Sequence, residues 1–131
     1  MESNWAALFS DTLHRAMSEY VVEAGDGSQT VIGTFVFPPD SEVFSGHFPG
    51  EPILPAVVQL TLVRLLAVRF LQRRLVPAGV GRIKFNRIVK PAESVQVTVK
   101  LENQQALWTA VFIIKRQAEI VASGTIAYNE A

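Results

Sequence analysis

Hydrophobic and polar residues alternate along several stretches of this chain, and an alternation with a period of two predicts β-strands. In residues 95–102, for example, Val95, Val97, Val99 and Leu101 alternate with polar residues. One face of the sheet is therefore expected to pack against a core while the other contacts water. The predicted strands are residues 19–24, 30–37, 81–88, 95–102, 107–115 and 120–128, the first two forming a hairpin.

Two other segments have helical patterns. Apolar residues at close to helical spacing predict a short helix over residues 4–17. Residues 56–74 contain neither Gly nor Pro, and their polar positions do not share one face. Such a helix is expected to be surrounded by protein, with residues 76–81 connecting it back to the sheet. The predicted order is a hairpin, a helix and then strands in a meander, which indicates an α+β fold with one antiparallel sheet wrapped around one long central helix.

The loop before the central helix is dense in glycine and proline and contains His47. Pro49, Pro52 and Pro55 exclude regular helix or central strand there, so the loop is expected to hold His47 in one place. Pro55 suits the first position of a helix because its missing N–H would be unpaired there anyway. The following N–H groups, beginning with that of Ala56, can polarise a carbonyl oxygen.

Composition narrows the class of protein. A chain of 131 residues with 49% hydrophobic residues predicts one globular domain, residues 1–131, with residues 1–17 as an N-terminal helical extension. The absence of cysteine excludes disulfides and thiol nucleophiles, and two histidines argue against a metal cluster, so no cofactor is expected. An acidic N-terminus without a basic region predicts no signal peptide and a cytoplasmic location. Two arginines within the long apolar segment, Arg64 and Arg69, argue against a membrane span.

Charge is segregated although the net charge is zero. Residues 1–60 hold eight acidic residues and one base, whereas residues 61–131 hold eleven bases and four acids. The densest basic run extends from Arg64 to Lys90. It is either a solvated surface or a docking patch for an acidic partner. Nucleic acid is not expected as that partner, because no nucleic-acid-binding motif appears in the sequence.

Two blocks of sequence resemble a known family. Gly46-His47-Phe48-Pro49-Gly50, followed in phase by Pro52 and Pro55, is similar to the signature loop of the 3-hydroxyacyl-thioester dehydratases of fatty acid synthesis, the FabZ/FabA-like hotdog proteins. The pair Gln59-Leu60 resembles more closely the ApeI-like dehydratases of aryl polyene type clusters. A second block, Ile83-Lys84-Phe85, Ile88 and residues 90–95, is similar to a strand of the same family.

The resemblance implies a hotdog fold, a homodimer or higher oligomer, and a substrate presented as an acyl carrier protein or acyl-CoA thioester. It implies that His47 is the base that removes a proton and that the backbone N–H of Ala56 polarises the thioester carbonyl. The family places a Glu or Asp fourteen residues after the histidine, where this chain has Thr61, whose hydroxyl could position a water instead. The remaining implied residues are Phe48, Gly50, Pro55 and Gln59 for substrate binding, and Arg82 and Arg87 for docking of the carrier protein.

Three functions remain open at this point. The first is a dehydratase that uses His47 together with a water in place of the acid. The second is a non-catalytic subunit that binds acyl thioesters and is paired with an active homologue. The third is a thioesterase, since the hotdog fold also hosts thioester hydrolysis. Two residues also have structural alternatives: His47 could hydrogen-bond its own loop, and the Thr61 hydroxyl could bond back to the carbonyl of Val57.

Overall fold

The protein is built from two helices and one antiparallel sheet. A computed structural model describes residues 5–25, 28–44 and 50–131. The sheet has six strands in the order β1-β2-β4-β5-β6-β3, and α2 packs against one face of it. This is the α+β hotdog fold that the resemblance implies. The elements are α1 Trp5–Ala16, β1 Met17–Gly25, β2 Ser28–Val36, a short 3-10 turn Glu42–Phe44, α2 Ala56–Leu71, β3 Leu75–Phe85, β4 Ser94–Gln104, β5 Leu107–Arg116 and β6 Glu119–Glu130.

The core lies between the sheet and one face of α2. The predicted alternation in β4 is confirmed, because every second residue from Val95 to Leu101 is buried. The helix crosses β2 at Gly33, where a Cβ atom would lie only 2.7 Å from Cδ2 of Leu66. A glycine is needed at this crossing so that the helix can approach the sheet closely. The buried residues of α2 are Val58, Gln59, Leu62, Val63, Leu66 and Ala67.

The third strand differs from the prediction in extent and in pairing. It begins at Leu75 and includes residues 76–81, which were expected to be a connection. Its partner is β6, whereas β4 joins β2, so β3 does not continue a meander into β4. Register shifts at Pro77/Gly79 and Gly81/Lys84 accommodate the proline and glycines that obscure the strand pattern. As a consequence, β3 forms one edge of the sheet.

Helix α2 is shorter than predicted. It ends at Leu71 instead of residue 74, because Gln72 adopts a left-handed conformation with a φ of 55°. The backbone N–H of Gln72 donates to the carbonyl of Val68 at 2.8 Å, which satisfies one of the last carbonyls of the helix. None of the helices in the described part of the chain is long and apolar enough to cross a membrane.

The expectation that α2 is surrounded by protein is wrong for this chain alone. Its sheet-facing side is buried, but Val57 on the opposite side is 53% exposed, and Leu60, Leu65 and Val68 are only partly buried. An apolar pattern on all sides of a helix does not show whether the same chain covers every side. The partly exposed side of α2 is where the candidate site lies.

Candidate active site

The first turn of α2 is held in place by hydrogen bonds on both sides of Leu54. The N–H of Leu54 donates to the carbonyl of Val89 at 2.7 Å. Its carbonyl accepts a hydrogen bond of 3.2 Å from Nε2 of Gln59, one turn into the helix. Pro55 then has a φ of −65°, the value its ring favours, and serves as the N-cap. The start of the helix is therefore fixed relative to the sheet.

Two backbone N–H groups are available at this helix start. The N–H groups of Val58 and Gln59 both donate to the carbonyl of Pro55 at 3.1 Å. Those of Ala56 and Val57 have no acceptor among the described residues, and no side chain caps the helix. Both residues are exposed. The positive end of the helix dipole adds to these free donors, so this point can stabilise negative charge on a carbonyl oxygen.

The loop that carries Val89 is itself pinned by Arg116. The Nη1 atom of Arg116 donates to the carbonyl of Ile88 at 2.6 Å and lies 3.2 Å from a carboxylate oxygen of Glu93. Its Nη2 atom donates to Glu119 at 3.0 Å. The hydrogen bond from Arg116 to Glu119, together with the charge of Arg87, holds the pKa of the Glu119 carboxyl below its usual range. One guanidinium thus ties β5, β6 and the loop that holds Leu54.

A groove of about 480 Å³ runs along the outer side of α2. It starts at Val57 in the first turn of the helix, and its helical wall continues at spacings of three and four residues as far as Val68 and Arg69. Strands β3 and β6 form the facing wall, and Leu13 and His14 of α1 contribute to the lining. Most of this surface is apolar. The groove therefore has the character of a site for a hydrocarbon chain.

Thr61 lines this groove one turn beyond Val57. Its hydroxyl donates to the carbonyl of Val57 at 2.6 Å, which is the structural alternative considered for this residue. The hydroxyl hydrogen is therefore in use, and only the oxygen lone pairs remain for a water or a substrate. No carboxylate is among the groove-lining residues. In the part of the chain that is described, the groove therefore contains no carboxylic acid to protonate a leaving group.

Two further polar residues of the groove, Arg64 and Tyr128, were not singled out together by the sequence analysis. Arg64 is half-buried and donates from Nε and Nη2 to the carbonyl of Leu75 at 2.9 and 2.7 Å. Tyr128 is 1% exposed, and its hydroxyl has no hydrogen-bond partner in the described structure. Leaving such a group unpaired costs about 1–3 kcal/mol. In the sequence, only the spacing of three residues from Thr61 to Arg64 indicated that Arg64 lies on the same side of the helix as Thr61.

Burial raises the pKa of the Tyr128 phenol well above its usual range, although the nearby charge of Arg64 acts in the opposite direction. The phenol is therefore a neutral donor at physiological pH. Both residues line the groove, Arg64 from the helical wall and Tyr128 from the facing wall of β6. Together with Thr61 they place polar groups in a groove whose surface is mostly apolar.

The structure brings together only some of the residues predicted for the site. His47 and Phe48 lie outside the described residues. Gly50 has a φ of 95°, a conformation that glycine adopts without strain. Gln59 is 3% exposed on the sheet-facing side of α2, with no partner for Oε1 among the described residues, so it is not adjacent to Thr61.

The two predicted docking arginines lie at and beyond the end of β3 and do not line the groove. Arg82 is exposed, has a φ of 53° at a register shift, and forms no ion pair within the described ranges. Arg87 is 54% exposed and lies 3.3 Å from Glu119. Arg82 is therefore the more accessible charge of the two. Among the described residues, no group of three or more histidine, aspartate or glutamate side chains is arranged to hold a metal.

The sequence of this chain matches a known family of dehydratases. Residues 23–125 match the family model described as ApeI-like, ApeI dehydratase. A 3-hydroxyacyl-[acyl-carrier-protein] dehydratase FabZ from Latilactobacillus sakei subsp. sakei is 40% identical over 67 residues, which cover 46% of this chain and 48% of the relative. The chain spans about half the length of the first curated relatives that it matches.

Solved structures show the same fold at low sequence identity. The dehydratase heterocomplex ApeI:P from Xenorhabdus doucetiae matches with a TM-score of 0.67 and 19% identity, over 85% of this chain and 98% of that one. The fluoroacetyl-CoA thioesterase FlK matches with a TM-score of 0.69 and 14% identity, over 83% and 90%. Both dehydratases and thioesterases therefore share this architecture.

Proposed function

Because the chain belongs to the ApeI-like dehydratase family, we propose that it removes water from 3-hydroxyacyl thioesters. The observation that carries this proposal is the position of the groove. It begins at the first turn of α2, where the N–H groups of Ala56 and Val57 have no acceptor within the described ranges, and it passes Thr61. A thioester carbonyl placed at the helix start would leave its acyl chain along the apolar groove.

In the proposed reaction His47 accepts a proton from the carbon next to the thioester carbonyl. The electrons of that C–H bond form the new carbon–carbon double bond, and the bond from the third carbon to its hydroxyl breaks. Histidine suits this step because an imidazole can be neutral near physiological pH and can then accept a proton. The N–H of Ala56 stabilises the charge that develops on the carbonyl oxygen.

The departing hydroxyl needs a proton, and in this proposal a water held by Thr61 delivers it. Since the Thr61 hydroxyl donates to Val57, its lone pairs accept one hydrogen of that water, and the other hydrogen is directed at the leaving group. The proton held by His47 then returns to the resulting hydroxide. The products are a 2,3-unsaturated thioester and water, and the protein regains its starting protonation state.

Turnover tests this function directly. A panel of 3-hydroxyacyl thioesters on acyl carrier protein, pantetheine and CoA should yield 2,3-unsaturated products, and the unsaturated thioesters should be hydrated in reverse. His47→Ala should abolish both directions, since a general base typically contributes on the order of 100- to 10,000-fold. Release of free acid without dehydration would instead support the thioesterase alternative.

A second candidate function is that of a binding subunit without its own catalysis. The observation in its favour is the groove, which has no carboxylate among its described lining residues and a Thr61 whose hydrogen is already used. The dehydratase heterocomplex ApeI:P shows that a protein of this fold can assemble with a different subunit. Activity that appears only after a homologous dehydratase is added, and that survives His47→Ala in this chain, would support the second function.

We also propose that the chain forms a homodimer through the edge of its sheet. Strand β3 has no neighbour on its outer side, and Val76 and Val80 on it are exposed. Light scattering at micromolar concentration should show a dimer, and Val80→Asp should weaken it. Val111→Asp, at an exposed position on β5, serves as the control. A monodisperse wild-type monomer would contradict the proposal.

Acyl carrier protein, an acidic partner, is proposed to dock at the basic end of β3. Arg82→Glu combined with Arg87→Glu should weaken binding and flatten its salt dependence. Arg82→Glu alone should account for most of the loss, because Glu119 already neutralises part of the charge of Arg87. Lys100→Glu on β4 is the control. Unchanged affinity of the double variant at low salt would leave this surface as ordinary solvated charge.

A further inference from the structure

The groove contains two polar groups whose hydrogen-bonding capacity is not used by the fold. Arg64 spends Nε and Nη2 on one backbone carbonyl, that of Leu75. Its Nη1 makes no hydrogen bond or ion pair within the described part of the chain, and no described carboxylate lies within salt-bridge distance of the guanidinium. Residues 61–131 contain few acids, and none of the described residues supplies a counter-charge to Arg64 in the groove.

Tyr128 supplies the second unused group from the opposite wall. The residue is almost fully buried on β6, and its hydroxyl has no partner among the described residues. A phenylalanine would fill the same space without leaving a polar atom unpaired. A buried hydroxyl without a described partner and a guanidinium with an unused Nη1, both lining one groove, therefore indicate a ligand atom that accepts hydrogen bonds from both.

The position of this pair defines where that acceptor belongs on a substrate. Arg64 follows Thr61 by three residues, which is about 4.5 Å along the helix axis. If the thioester carbonyl lies at Ala56 and the reacting carbons at Thr61, the acyl chain extends past Arg64 toward Val68. The acceptor is then carried by the acyl chain itself, beyond the carbons that react.

We propose that Arg64 and Tyr128 make this protein selective for acyl groups that carry an anionic oxygen, such as a carboxylate, on the chain beyond the reacting carbons. This inference rests on the proposed function, because that function supplies the direction in which the chain lies. Arg64 and Tyr128 are specificity-determining residues in this scheme and take no part in proton transfer. A plain alkyl chain would bury the guanidinium without compensating its charge, and its affinity is reduced for that reason.

Binding of unreactive analogues separates this inference from the reaction. The probes are saturated acyl-pantetheine amides, which have no 3-hydroxyl to lose and no thioester to hydrolyse. Each chain length is prepared with a methyl end and with a carboxylate end, and dissociation constants are measured by calorimetry. At the length that reaches Arg64, the carboxylate chain should bind at least about tenfold more tightly, as expected for one charge-assisted hydrogen-bonded contact.

Three variants test which residues cause the preference for carboxylate-ended chains. Arg64→Met should remove it, and Tyr128→Phe should reduce it about threefold or more while leaving the fold intact, since the hydroxyl has no partner to lose. Arg74→Met is the matched control: Arg74 is an exposed arginine just beyond the end of the same helix, and it does not line the groove. That variant should keep the preference.

Several outcomes would overturn the inference. They are equal or tighter binding of the methyl-ended chains, no binding of either series, or a preference that persists in both Arg64→Met and Tyr128→Phe. Arg64→Met could unfold because it loses the hydrogen bonds to Leu75. In that case the carboxylate preference is tested with Tyr128→Phe, which removes the hydroxyl, and with Arg64→Lys, which keeps the positive charge. A carboxylate preference in a protein that dehydrates nothing would retain this inference and refute the proposed function, whereas efficient dehydration of alkyl chains with no preference would do the opposite.

Discussion

The two sides of helix α2 have similar hydrophobicity but very different surroundings. On the side facing the sheet, Leu62, Val63 and Leu66 are fully buried among apolar side chains. On the outer side, Leu65 and Val68 are only partly covered and share their surface with Thr61 and Arg64. The first side accounts for stability within the chain. The second leaves an apolar groove with unused polar groups, which is the composition of a binding site.

Substituting alanine for one leucine on each side of α2 should reveal the largest difference between the two sides. Leu66→Ala removes a fully buried side chain above Gly33 and should lower the free energy of unfolding by about 2–5 kcal/mol. Leu65→Ala, its neighbour on the groove side, should cost about 1 kcal/mol or less. Urea denaturation measures both. Equal losses would show that the outer side is covered as completely as the inner one in solution.

A gain of function at Thr61 should distinguish the two sides of α2 further, because only the side that lines the groove is proposed to take part in the reaction. Thr61→Glu introduces the carboxyl that the family places here; its apolar neighbours should raise its pKa and favour the protonated acid, against the opposing charge of Arg64 three residues later. We expect dehydration to rise by at least about tenfold, a conservative share of the effect of a general acid. Initial rates with 3-hydroxyacyl thioesters measure it.

The controls for Thr61→Glu separate the two candidate functions. His47→Ala should remove the activity in both the wild-type and the Thr61→Glu background. A folded Thr61→Glu protein that binds acyl carrier protein without any gain in rate would favour the binding subunit. A wild-type rate that already matches the variant would show that water at Thr61 suffices.

Acid pH should have the smallest effect on stability. Neither side of α2 takes part in it, because the helix contains no carboxylate. Hydrogen bonds from Arg116 to Glu119 and from Trp108 to Glu130 lower the pKa of each carboxyl below its ordinary value near 4.5. The stability they add is present above that ordinary pKa and is lost as pH falls through the lowered one. The urea midpoint should therefore decline below about pH 4.5, and less so in Glu119→Gln. The urea midpoint of Glu102→Gln should decline as that of the wild type does, because the Glu102 carboxylate lies 3.8 Å from Nζ of Lys100.

The sequence predicted the helix, the hairpin and the strands of strict alternation, because their patterns are local. It did not predict that residues 76–81 are part of β3, since Pro77, Gly79 and Gly81 hide a strand whose pairing with β6 is a tertiary contact. The same limit applies to the site. Thr61 was found by its separation from His47 in the sequence. That Arg64 and Tyr128 line the same groove depends on tertiary packing, which no sequence periodicity describes.

The hydrogen bond from Leu54 to Val89 has a consequence for local opening of the structure. Leu54 belongs to an irregular, proline-rich connection, and such segments commonly exchange their amide hydrogens quickly. Here the Leu54 amide is bonded to a loop that Arg116 fastens to the sheet. We therefore expect the Leu54 amide to exchange slowly with solvent deuterium, and to do so when the loop that Arg116 holds opens.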